Sequence, residues 1–210
     1  MNSEKVSNFV ALHAEMSACQ RCPLHLTRRQ VVPGEGPWDA EVMLVGEAPG
    51  ATEDLIGRPF VGAAGKLLDR FLATAGLNRK RIYITNVVKC RPPRNRQPTF
   101  EEKARCFHFL LSQIDFIDPR LVILCGATAL GMFWGNGKIT KHHGMPFTNS
   151  KGRIFLPVFH TAAALRNRNL NSTIISDLRV ATMLLENGAP SGIREVPDVI
   201  VALQDKLIGG

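Results

Sequence analysis

The chain has 210 residues with a formal net charge of +8, and 45% of its residues are hydrophobic. That length supports one well-buried core and is short for two ordinary domains, while no apolar run approaches the roughly 18 to 20 residues of a membrane span. The opening MNSEKVSNFV has no apolar core of signal-peptide length, so a cytoplasmic protein without a membrane partner is expected.

Residues 5–18 read as a helix running into a C-x-x-C turn formed by Cys19 and Cys22. Five cysteines in a reducing compartment point to metal or redox chemistry before disulfides. The apolar run Val42 to Val45 reads as a first strand, followed by GEAPGATED at 46–54. This Gly-rich turn invites a phosphate reading, but the nearby Gly65-Lys66 pair is followed by Leu67. Phe60 stands where a P-loop needs its first glycine, so that motif is excluded. Leu67, Leu68, Phe71 and Leu72 recur at helical spacing, and Gly76 closes the segment.

Ile82 to Val87 is a second strand, leading into KCRPP with Cys90. Thr99 and Glu102 form a capping box ahead of a helix that carries Cys106. Leu121 to Leu124 is a third strand, and Cys125 within LVILCG reads as a small buried hydrophobe. His142 and His143, beside Lys138 and Lys141, read as a basic surface loop. Ile154 to Phe159 is a fourth strand, residues 172–186 give the last strong helix, and Pro197 to Leu207 is a candidate for one more short helix. Strands alternating with helices define an α/β fold with a parallel sheet covered on both faces.

Ligands of open α/β sheets bind at the carboxyl ends of the strands. Glu47 follows the first strand, Asn86 lies near the end of the second, and His160 follows the fourth, so three distant polar residues should converge on one edge. Basic residues cluster as Arg79, Lys80 and Arg81, then Lys89, Arg91, Arg94 and Arg96, and finally Arg166 and Arg168. Clustered cations suit a polyanion, and a nucleic acid is the expected partner.

GEAPG, GRPFVG, ITNVVKCRPPRNR and the late His-containing loop leading into LRN together resemble the iron-sulfur, or family 4, uracil-DNA glycosylases over roughly residues 10–187. The resemblance implies a three-layer α/β/α fold around a four-stranded parallel sheet, in a monomer that acts on single- or double-stranded DNA containing uracil. It implies a [4Fe-4S] cluster on Cys19, Cys22, Cys90 and Cys106, although four thiolates suit structural zinc equally well. The cluster would tie the N-terminal helix to the loop and helix that follow the second strand.

The resemblance also assigns roles. Phe60 would stack on a flipped uracil, and the Asn86 amide would pair with its O4 and N3–H. His160 would donate to the charge developing on O2, helped by backbone N–H groups of the Glu47–Ala48 turn. The relatives' better-known branch has an aspartate where this chain has Ala48, so water falls to Glu47 and Asn95, ranked ahead of Glu53, which would shape the pocket floor; Asp54 would cap the turn. Arg91, Arg94, Arg166 and Arg168 would hold phosphates, with Leu165 as an apolar wedge.

Two departures matter. Thr161 follows His160 where the family commonly has proline, so a looser histidine loop is expected. Residues 91–99 contain no histidine, so no stable protein–DNA adduct is expected. One glycosylase domain is expected over residues 1–190 with a tail at 191–210. A non-catalytic, metal-stapled DNA-binding module is the alternative; a small iron-sulfur electron carrier would leave Asn86 and the basic loops without a use.

Overall fold

Four short apolar runs become neighbouring strands because each can be buried on both faces. In the computed structural model, which describes residues 3–197, these are β1 (Val42–Gly46), β2 (Ile82–Asn86), β3 (Leu121–Cys125) and β5 (Ile154–Val158). Two further strands, β4 (Phe147–Thr148) and β6 (Arg194–Glu195), complete a sheet of order β2-β1-β3-β5-β4-β6. β1 pairs in parallel with β2 and β3, and β3 with β5; β4 runs antiparallel to β5 and parallel to β6. The expected four-stranded parallel sheet is therefore corrected to a mixed sheet of six strands. The two added strands are two residues long, too short to show alternation in sequence.

Side chains of a strand point alternately to opposite faces. Val42, Leu44, Ile82, Ile84, Ile123 and Leu156 accordingly enter one core with the helices α3 (Ala63–Thr74) and α8 (Leu170–Asn187). Met43, Val45, Tyr83, Val122, Leu124 and Phe155 enter the other with α1 (Ser3–Ala18), α4 (Phe100–Ile117) and α5 (Ala127–Phe133). Helices thus cover both faces. The Thr99–Glu102 capping box opens α4, each side chain meeting the other residue's backbone N–H. Shorter helices are α2 (Ala51–Ile56), α6 (Ile139–His142) and α7 (Thr161–Arg166).

No helix among the described residues is long and apolar enough to cross a membrane. The candidate helix at Pro197 to Leu207 lies, apart from Pro197, outside the described residues.

Candidate active site

All seven residues singled out for catalysis or substrate contact border one cavity of about 340 Å³: Glu47, Ala48, Glu53, Phe60, Asn86, Asn95 and His160. It opens where β1 and β2 end, and its size falls within the range of small-molecule sites. A cavity of about 380 Å³ lies at the opposite end, against Val42, Asn78, Arg81 and Ile82. That is the amino end of the same strands, away from the polar residues named above.

Gly46 and Asn86 face each other across the β1–β2 register. A Cβ at Gly46 would collide with both the Asn86 amide oxygen and the Phe60 ring, so the missing side chain is the space they occupy. Phe60 is buried and sits at φ 52°, a left-handed conformation costly for a bulky residue. Arg79 fixes it there: its guanidinium donates to the carbonyls of Phe60 (3.2 Å) and Pro59 (2.9 Å). Arg79 is itself held by Glu35 at 2.8 Å and Asp69 at 2.7 Å. Burial opposes the charge of Glu35, yet Arg58 and Arg79 hold its carboxyl below the usual range. The Phe60 ring stacks on His160 with centroids 5.6 Å apart.

Glu53 is committed to the backbone. One carboxylate oxygen accepts from Val61 N (3.0 Å) and Gly62 N (2.8 Å), and the other from Gly50 N (3.1 Å), joining the Gly-rich turn to the Phe60 loop. Those three bonds hold the carboxylate where it lines the cavity. Asp54 does not cap the turn as expected; it is buried and accepts from Arg29 N at 2.9 Å. The Glu47 carboxylate accepts from the hydroxyl of Thr128, at the start of α5. Nothing in the sequence pattern singled out Thr128, because the strand-to-helix turn Gly126-Ala127-Thr128 carries no charged group.

His160 is the N-cap of α7, where its Nδ1 accepts from Ala162 N at 3.1 Å. That bond assigns the proton of the neutral ring to Nε2, leaving it as a donor. Burial, reinforced by the Arg166 charge and opposed by Glu53, pulls the imidazole down to about 4, so it is neutral at physiological pH. The looser loop expected from Thr161 is not what the contacts describe. Thr161 is fully buried, and its hydroxyl donates to Ala64 O at 2.9 Å, tying the start of α7 to α3.

Two of the three basic groups adjoin the cavity through a neighbour that lines it, Asn95 for one and Ala162 of α7 for the other. Arg91 Nε donates to Asn95 Oδ1 at 2.7 Å, and Arg94 and Asn95 both adopt left-handed backbone conformations in the turn that brings Asn95 to the cavity. On the other side Leu165, Arg166 and Arg168 are exposed at the end of α7 and just beyond it. His143 is not a plain surface group: Nδ1 meets the buried Asp177 carboxylate at 3.0 Å, and the ring lies 4.6 Å from Phe159. His142 packs on Trp134.

Cys19, Cys22, Cys90 and Cys106 line a third, small cavity between the end of α1, the segment after β2, and α4. Among the described residues no three His, Cys, Asp or Glu side chains are drawn tightly enough together to hold a metal ion as they stand. The donor set nevertheless fits a thiolate-bound group. Four sulfurs border one cavity, Arg28 donates to Cys90 Sγ at 3.1 Å, and Lys89 N to Cys106 Sγ at 3.4 Å. Burial pushes the Cys106 thiol up to about 12 and raises Cys22 and Cys90, so metal binding must displace their protons. Cys125 is fully buried in the core, away from this set.

The sequence model of the uracil DNA glycosylase superfamily matches residues 33–179. The chain belongs to that superfamily, and within it to the type-4 enzymes. It is 48% identical over 172 residues to the type-4 uracil-DNA glycosylase of Thermotoga maritima, covering 80% of this chain and 90% of that protein. It is 44% identical to the type-4 enzyme of Pyrobaculum aerophilum, covering 80% and 89%. For that of Archaeoglobus fulgidus identity is 39%, covering 79% and 87%.

Proposed function

We propose that the chain is a monofunctional uracil-DNA glycosylase of DNA repair, which flips uracil out of DNA and hydrolyses its N-glycosidic bond, leaving an abasic site. The observation that carries this reading is one cavity holding a buried asparagine amide, a neutral histidine with Nε2–H free to donate, and an aromatic ring stacked on that histidine. A duplex base is out of reach until unstacked, at a cost of a few kcal/mol. Phe60 then offers its face to the ring. The Asn86 amide donates to O4 and accepts from N3–H, whereas cytosine presents the reverse pattern and would leave buried groups unpaired.

As the bond from C1′ to N1 breaks, its electron pair goes to the base and negative charge builds on O2. His160 Nε2–H donates to that oxygen without giving up its proton. The sugar, now electron-poor at C1′, is attacked by water positioned by Glu47 and Asn95; as the C1′–O bond forms the water gives a proton to solvent, and the departing uracil anion takes one up from solvent. Glu53, held by three backbone donors, shapes the floor. Arg91, Arg94, Arg166 and Arg168 hold phosphates on either side, and Leu165 enters the gap left by the base. The chain acts as a monomer with one glycosylase domain; its cores join elements from Phe9 to Val196 and β6 belongs to the same sheet, so the domain runs past the residue 190 expected from sequence.

A labelled oligonucleotide with a single deoxyuridine tests the function. Incubation followed by hot alkali is expected to cut the strand at that position alone. Salt-sensitive binding without base release would instead select the non-catalytic DNA-binding module.

Cys19, Cys22, Cys90 and Cys106 would hold a [4Fe-4S] cluster, whose contribution when bound is structural, stapling α1 to the basic segment after β2. Purified protein is expected to be brown, with visible absorbance that bleaches as iron is lost and a lowered thermal midpoint after bleaching. Colourless protein with stoichiometric zinc would replace this assignment.

A further inference from the structure

Lys89 is almost wholly buried, at 2% exposure. A buried ammonium is costly unless its donors are matched, and here three donors meet three acceptors: Gln113 Oε1 at 2.6 Å, Thr85 Oγ1 at 2.7 Å and the main-chain oxygen of Asn86 at 2.8 Å. Each side-chain acceptor is itself fixed. Thr85 Oγ1 donates to Pro33 O at 2.8 Å, while Gln113 Nε2 donates to Pro33 O at 2.8 Å and to the Tyr83 hydroxyl at 3.0 Å. The lysine backbone is held equally firmly, its N–H on Cys106 Sγ and its carbonyl accepting from Val32 N at 2.8 Å.

Asn86 is the last residue of β2. Its carbonyl lies where the ladder stops, and without the ammonium it would lose this buried partner. A methionine would fill the same volume without burying a charge, so packing alone gives no reason for a lysine. What the ammonium adds is a fixed orientation for the Asn86 peptide, and with it the Cα from which the amide projects into the cavity.

We propose that Lys89 is a positioning residue for base recognition: it holds Asn86 by the main chain and, through the bond from residue 89 to Cys90, registers the recognition amide against the cysteine-lined cavity. This rests on Asn86 being the uracil-reading residue. Lys89 touches neither substrate nor reacting atoms and acts through Asn86.

The experiment is a double-mutant cycle on the full chain, read by single-turnover excision with enzyme in excess and by titration with free uracil. Lys89→Met is expected to keep the native circular dichroism and iron content, and to slow excision and weaken uracil binding by about tenfold to 100-fold. In an Asn86→Ala background the same substitution is expected to change the rate less than about threefold, because the group it positions is gone. Thr85→Val, which removes one acceptor and keeps the shape, should give a smaller loss with the same non-additivity, and serves alone if Lys89→Met does not fold. Equal losses in both backgrounds, or native rates in Lys89→Met, would overturn the proposal. Wild-type protein that neither releases nor binds uracil would overturn the glycosylase reading itself, a result separable from any ratio between variants.

Discussion

Replacing Asn86 by alanine is expected to lower single-turnover uracil excision by about 10³-fold or more, the range seen when a site built to hydrogen-bond a substrate loses that match. The amide is buried at the end of β2, wedged beside Gly46 and Phe60, so water cannot readily replace it at O4 and N3–H. Folding should survive, since the strand's ladder runs through backbone groups that alanine keeps. Asn86→Asp gives the sharper comparison. An ionised carboxylate accepts from N3–H but repels O4, so uracil is lost while cytosine, with its N4 donor and N3 acceptor, is not gained at full strength. Excision in Asn86→Ala within a fewfold of wild type would remove Asn86 from base recognition.

The second large effect is at His160. His160→Ala is expected to cost about 10² to 10³ in the chemical step, the usual loss on removing one donor to a developing oxyanion. The pH dependence identifies the protonation state. Because burial first, and then Arg166, hold His160 down to about 4, the wild-type rate should show no inflection from this residue near pH 6.5 and should fall only as pH drops toward 4. The sign of the stability effect follows. The unfolded chain takes up its proton first, so His160 destabilises the fold as pH falls from its ordinary value of 6.5 to about 4, by at most about 1.4 kcal/mol per pH unit. His160→Gln should lose that dependence. A wild-type inflection near 6.5 that disappears in His160→Gln would show a charged donor and refute the neutral one.

The four main strands were legible because each is an apolar run buried on both faces, and the cavity residues because strand carboxyl ends gather ligands and the motifs fall there. β4 and β6 were not, since two residues carry no period. Charge counting misplaced the most. Arg79 and Lys89 sat in basic clusters that suggested phosphate contacts, yet Arg79 turns inward onto the Phe60 loop and Lys89 is enclosed. Composition gives a residue's charge but not its direction, and only tertiary packing aims it. Asp54 and His143 were missed for the same reason, each being paired with a group distant in sequence, Arg29 N and Asp177.

Phe60 is held in its left-handed conformation by Arg79 before any ligand arrives. A side chain that must be ordered on binding costs about 0.5 to 1.5 kcal/mol in lost freedom. With Phe60 as the proposed stacking residue, that ordering is completed during folding, so the full contact between ring and base would remain to offset unstacking of the duplex. On that reading the rate of capture would be governed by how often a nucleotide leaves the helix, because the platform that receives it is already in place.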